Sequence, residues 1–184
     1  IKKEIYGGGV IASVNHLSSF INECTLLSVV GNQGSKKFDK LINKRIKKFF
    51  FKDKNSKTIV KKRYLDQENK KLFQVSNLKT NNLSSNTEKK IVDFLEKNIN
   101  KFDHIIVHDF GHGLLTDKII KLLESNSKYL SINVQTNSSN IGFNYITKFK
   151  KTNYFSIDEP EARLALADKI SNTSQLFNKL QKKD

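Results

Sequence analysis

Residues 103–134 read DHIIVHDFGHGLLTDKIIKLLESNSKYLSINV, and the alternation inside this stretch decides the fold. Asp103 to Phe110 is a strand centred on the apolar run Ile105-Ile106-Val107, and Gly111 and Gly113 punctuate its exit. Thr116 is placed to cap a helix that runs through Leu123. Lys128 to Val134 is the next strand. Strand, helix and strand within about 30 residues make a parallel crossover unit.

The same grammar extends in both directions. Upstream, a helix capped by Thr87 runs to about Ile99, with Ile91, Phe94, Leu95 and Ile99 as its apolar stripe. Downstream come a strand at Tyr154 to Ile157, a helix from Glu159 to Ala167 and a polar helix at Gln175 to Lys182. Strands separated by helices predict a parallel sheet covered by helices, with ligands beyond the carboxyl ends of the strands. The residues expected there are Gly31, the loop from Asp109 to Gly113, Asn133-Val134-Gln135 and Asp158.

The first half reads differently. Gly7-Gly8-Gly9 precedes a helix over Val10 to Ile21, and Thr25 to Val30 is a buried strand closed by Gly31. Lys36 to Phe50 reads as an amphipathic helix with Phe38, Leu41, Ile42 and Ile46 inside. Lys57 to Leu65 and Leu72 to Val75, separated by Asp66-Gln67-Glu68-Asn69, form a hairpin pattern, and 77–86 is a polar connection.

At 184 residues and 37% hydrophobic content the chain is the size of one domain with a core of its own. It has no apolar run of the roughly 20 residues a membrane-spanning helix needs. Cys24 is the single cysteine, which excludes an internal disulfide framework and suits a reducing cytoplasm. The chain opens at Ile1 and contains no Met, so it reads as an internal fragment. Its net charge is +15, the kind of surplus that suggests nucleic acid. However, only Arg45, Arg63 and Arg163 are arginines, and arginine does much of the bidentate work at bases and phosphates. The surplus is also local: 36–63 holds 13 basic residues against Asp39 and Asp53. A solvated lysine-rich surface accounts for it, and nucleic acid is not the expected partner.

Several constellations invite chemistry, each with a plain structural reading beside it. His104, His108 and His112 are four apart, but on a strand and its exit loop that spacing does not converge on one metal. Cys24 beside a strand reads as a small core residue. The glycines at 7–9 permit either a turn or close backbone approach to a ligand. Lys61 and Arg63, two apart on a strand, share a face that is either solvated or a phosphate clamp. Asp158-Glu159-Pro160-Glu161 is a capping box in its own right.

Taken in order, these pieces resemble the ribokinase/PfkB-type carbohydrate kinases, above all the heptose-7-phosphate kinase branch of the ADP-heptose synthases. Gly-Gly-x-x-x-x-x-x-Asn is here Gly7-Gly8 to Asn15, followed by the apolar strand ending at Gly31. Thr-Ile-x-Lys-x-Arg is Thr58 to Arg63, and the strand after it is matched at Leu72-Phe73. Asp-Tyr-x-x-Gly is Asp109 to Gly113, and Asn-x-x-Glu falls on Asp158 to Glu161.

The resemblance implies a ribokinase-like α/β fold: a three-layer, Rossmann-type parallel sheet with 57–76 as a β-hairpin lid and 87–184 as the central α/β part, incomplete at both ends. It implies phosphoryl transfer from ATP with magnesium to a sugar or sugar phosphate. Gly8, Gly9, Asn15, Lys61, Arg63 and Asp109 would be substrate-binding, and Asp158 and Glu161 would serve the cofactor. No catalytic residue or direct metal ligand is assigned within the chain, because the family's catalytic Asp lies downstream of these motifs. A homodimer through the lid hairpin and a fused nucleotidyltransferase domain are further implications. The chain departs from the pattern at Ile11, Gln33, Gln74-Val75-Ser76, His112, Asn133-Val134-Gln135 and Asp158. Such departures point to a different sugar, or to a degenerate, non-catalytic kinase-like module that serves sugar-nucleotide binding or dimerisation.

Overall fold

β-Branched and aromatic runs closed by glycine or polar turns become the strands, and two separate sheets of parallel strands result. The computed structural model describes residues 2–32, 36, 38–77, 82–137 and 140–181, and divides into two units, 1–87 and 88–184.

In the first unit, α1 (Val10–Leu17) packs beside β1 (Thr25–Val30), and β1 pairs in parallel with β2 (Lys47–Lys52). Ile11, Val14, Leu26, Ile42 and Ile46 form its core, with Cys24 and Phe38 packed against them. The helix expected over 36–50 is not formed: its apolar residues are inside, but the last of them lead into β2. Two physical causes account for this. Asn43 turns the chain by accepting from the Arg45 amide at 3.1 Å, a local side-chain bond that competes with helix. The run Phe49-Phe50-Phe51 then favours an extended strand, whose parallel pairing satisfies the backbone of β1.

β3 (Val60–Leu65) and β4 (Lys71–Asn77) form the expected antiparallel hairpin, a sheet of its own. At its tip, the Asp66 carboxylate accepts from the amides of Glu68 (2.9 Å) and Lys70 (2.8 Å), and Asn69 takes the left-handed conformation. At its base stands Asp53, fully buried. Its carboxylate accepts from the Ser56 hydroxyl at 2.7 Å before the hairpin and from the Thr87 hydroxyl at 3.2 Å after it. Burial pushes the Asp53 pKa upward, but hydrogen bonds from Ser84, Ser56, Thr87 and the Asn55 backbone outweigh it and hold the carboxyl below its ordinary value.

In the second unit, β5 (Ile105–Asp109), β6 (Leu130–Val134) and β7 (Tyr154–Ser156) form a parallel sheet in the order β5-β6-β7. β6 is the central strand, and four of its five residues are buried, as expected of a strand covered on both faces. The helices α2 (Ser85–Asn98), α3 (Asp117–Asn126), α4 (Glu159–Leu166) and α5 (Thr173–Gln181) fall where the periodicity places them, within a few residues at each end. Thr116 caps α3 by accepting from the Ile119 amide. For α2 the cap moves upstream: the Thr87 amide donates to the Ser84 hydroxyl at 3.3 Å, which places Thr87 inside the first turn. Lys182, expected in the last helix, Gln33 and 78–81 of the polar connection lie outside the described residues.

Candidate functional site

The carboxyl edge of the β5–β6 pair carries a concentrated polar cluster. Asp109 ends β5, and its side chain is only 5% exposed. One carboxylate oxygen accepts from the Gly111 amide at 2.9 Å, and the other forms an ion pair with Lys148. Gly111 has φ +67°, and an added Cβ would lie 2.2 Å from the Asn140 amide nitrogen, so this turn requires glycine. The Asn137 and Asn140 amides donate to the Phe110 carbonyl at 3.1 and 3.0 Å. Asn144, also buried, donates to the carbonyls of Asp109 (3.3 Å) and Gln135 (3.4 Å) and accepts from Lys148 at 2.7 Å. Three asparagines thus donate to backbone carbonyls at the strand ends, two of them to the Phe110 carbonyl.

Asp158 and Glu161 join the same edge. Both halves of the expected capping box are formed: Asp158 accepts from the Glu161 amide at 2.8 Å, and Glu161 accepts from the Asp158 amide at 3.0 Å. The other Glu161 oxygen accepts from the Thr136 amide, 2.6 Å away, at the exit of β6. With one backbone amide on each oxygen, Glu161 latches the start of α4 to the exit of β6. Among the described residues no group of three or more His, Cys, Asp or Glu could hold a metal ion. His104 and His108 instead face different residues of β6, Ser131 at 2.7 Å and Asn133 at 3.5 Å.

In the first unit, Gly9 is the N-cap of α1 with φ +53°, while a Cβ added at the exposed Gly8 would meet nothing within 4 Å. Gly8 therefore has no internal steric reason to be glycine. Asn15 has both ends of its amide engaged: it donates to the Leu41 carbonyl at 2.7 Å and accepts from the Asn43 amide at 2.9 Å. Gly31 donates to the Thr58 hydroxyl at 3.1 Å, and a Cβ there would meet the Ser56 carbonyl at 2.6 Å, so the chain entering the hairpin crosses directly over it. Burial pushes the Cys24 thiol pKa up, which matches its packing against the core and disfavours a nucleophile.

The hairpin presents Lys61, Arg63 and Leu65 on one face and Val60, Lys62 and Tyr64 on the other. Lys61 and Arg63 stand opposite Ser76 and Gln74, and Arg63 donates to Gln74 at 3.1 Å. The other face carries Val60, Tyr64, Phe73 and Val75, all exposed, with the Tyr64 and Phe73 rings stacked at 4.4 Å. Ile59, just before β3, is half-buried.

The structure brings Asp109, Asp158 and Glu161 to one sheet edge and puts Lys61 and Arg63 on one hairpin face. Sequence reasoning did not identify Lys148, Asn140 or Asn144. They occupy an aperiodic segment about 30–40 residues from their partners Asp109 and Phe110 at the exit of β5, so no spacing signal marks them.

No family model matches the chain. Over 178 residues it is 26% identical to the bifunctional protein HldE of Aliarcobacter butzleri (strain RM4018), a match covering 95% of this chain. The chain spans 36% of the length of that relative. The resemblance to the heptose kinase branch, read from five motifs in register, is borne out by this match, and the parallel α/β architecture agrees with it.

Proposed function

We propose that this chain is part of an ATP-dependent sugar kinase-like domain that transfers a phosphoryl group to a heptose-phosphate-like sugar. The observation that carries this reading is the similarity to the bifunctional protein HldE along 95% of the chain. In this reading, Lys61 and Arg63 hold the phosphate already on the substrate, since both project from one face of the hairpin beside Gln74 and Ser76 and a phosphate accepts readily from such cations. The open space around Gly8 admits the sugar, and Gly9 turns the backbone into α1 beside it. Asn15 holds the 41–43 turn of the first unit, and within the second unit Asp109 organises the edge of its own sheet.

Magnesium and ATP enter as the co-substrate complex. Asp158 and Glu161 contribute by fixing the start of α4 against the exit of β6. Phosphoryl transfer demands chiefly positioning and electrostatic stabilisation of the transferred group. The residue that activates the sugar hydroxyl is assigned to a part of the protein beyond these motifs.

Two partner proposals accompany this one. The exposed apolar hairpin face is matched to the same face of a second copy, because a two-stranded sheet is marginal in water by itself. A fused nucleotidyltransferase domain is consistent with the bifunctional relative being much longer than the chain.

The test is calorimetry on the intact protein with heptose 7-phosphate and with the dephosphorylated heptose. The proposal expects the phosphorylated sugar to bind about tenfold or more tightly, the scale of a charged hydrogen bond. Equal affinity for the two, or no binding of either, overturns it.

A further inference from the structure

We infer that Lys148, rather than Asp109, is the group at the carboxyl edge of the second sheet that touches a ligand, and that the ligand atom it takes is an acceptor oxygen of a phosphate. Asp109 is poorly placed to meet a substrate: its side chain is 5% exposed, one oxygen is taken by the Gly111 amide and the other by Lys148. Lys148 is the more open member of the pair, with its side chain 31% exposed.

An ammonium carries three N–H donors and no acceptor. Two of its partners are Asp109 and the Asn144 side-chain oxygen, the latter at 2.7 Å, and its Nζ also lies 5.4 Å from the centroid of the Phe149 ring, which supplies no acceptor oxygen, so among the described residues one N–H is left for a third oxygen. Both partners are buried and held in turn. The Asp109 carbonyl accepts from the amides of Gln135 (2.8 Å) and Asn144 (3.3 Å), so the lysine head is fixed to the strand ends rather than free to sweep. A cation anchored in this way, at the edge where parallel sheets bind ligands, offers a pre-oriented charge-assisted donor. Asp109 and Asn144 are then positioning residues acting through Lys148. A neutral hydroxyl is the weaker match, since the strongest hydrogen bonds available to an ammonium are those to anionic oxygen.

The inference deepens the proposed function, whose sugar phosphate and ATP are the two natural sources of that oxygen. Lys148→Ala alone would strand a buried carboxylate and can unfold the site. The informative variant is therefore Lys148→Met combined with Asp109→Asn, which removes both charges, with Asp109→Asn alone as its companion. In calorimetry with heptose 7-phosphate and with ATP as separate arms, the double variant should lose about tenfold or more in affinity for at least one of them. Its unfolding midpoint should stay near that of the parent. Asp109→Asn alone should lose less, because it loosens the lysine without removing it. The arm that weakens identifies the source of the phosphate. A folded double variant that binds both ligands as the parent does would overturn the assignment.

A second readout separates failure of this inference from failure of the proposed function. If the parent binds neither ligand, the proposed function fails, and the side-chain resonances of Lys148 are then followed by NMR as inorganic phosphate is added to the parent. A saturable shift of Lys148 that exceeds the shifts of exposed lysines such as Lys62 supports the site. A shift no larger than theirs overturns it.

Discussion

Replacing Asp53 should weaken the base of the hairpin more than any other single polar substitution in the first unit. Its buried carboxylate accepts from Ser56 at 2.7 Å and Thr87 at 3.2 Å, joining the chain before the hairpin to the chain after it. In Asp53→Ala, Thr87 retains the Lys52 carbonyl at 3.3 Å and Ser84 retains the Thr87 hydroxyl at 2.9 Å as alternative acceptors, whereas Ser56 has no other acceptor among the bonds described. One unreplaced hydrogen bond to a charged group contributes about 1.5–3 kcal/mol. With part of the Thr87 bond and a small cavity added, the expected loss is about 2–4 kcal/mol. Asp53→Asn keeps one acceptor oxygen and should lose about 1–2 kcal/mol. Because hydrogen bonds hold the Asp53 carboxyl below its ordinary value, its stabilisation is full above about pH 4 and is lost as pH falls through the lower folded-state value. Asp103, beside Lys128, and Asp168, beside Lys179, are lowered too, so the difference between parent and variant isolates Asp53. Urea unfolding of the intact protein between pH 3 and pH 7 reads all of this. Changes within about 0.5 kcal/mol for both variants, or an unchanged acid dependence in Asp53→Asn, would refute the reasoning.

Three further expectations follow from the same geometry. Arg63→Ala should weaken a phosphorylated sugar by about 1.5–3 kcal/mol while leaving its dephosphorylated analogue unaffected; calorimetry showing equal weakening of both would return Lys61 and Arg63 to a solvated face. Asp158→Asn should leave stability within about 0.5 kcal/mol, since an asparagine oxygen can accept from the Glu161 amide as Asp158 does at 2.8 Å. The same variant should strengthen ATP binding or relax its magnesium dependence, and tight magnesium-independent ATP binding by the parent would contradict that expectation. Sedimentation of the intact protein should show a dimer that Tyr64→Lys and Phe73→Glu together disrupt, whereas a parent that is strictly monomeric would oppose docking through the hairpin face.

The fold was legible wherever periodicity and capping agreed. β1 matches its expected limits, and α3 starts at the cap that Thr116 announces. It was illegible at 36–50, where helical spacing of Phe38, Leu41, Ile42 and Ile46 competes with the Asn43 turn and the phenylalanine run. Spacing alone does not weigh a local turn against the demand of β1 for a parallel partner. The candidate site was legible as motifs and illegible as contacts. Asp109, Asp158 and Glu161 stand in recognisable patterns, but the carboxylates of all three prove to be engaged by backbone amides. Lys148 and its asparagine neighbours reach the site through tertiary folding of a segment with no period of its own.

Phosphorus NMR of the intact protein with ATP, magnesium and heptose 7-phosphate tests the central claim most directly. The account predicts loss of the ATP γ-phosphate resonance and growth of a second phosphoester signal on the sugar, dependent on both substrates. It also predicts that the dephosphorylated sugar is a much poorer acceptor, because Lys61 and Arg63 then have no phosphate to hold. Transfer that ignores the phosphate already on the sugar, or no transfer to any heptose phosphate, would contradict it.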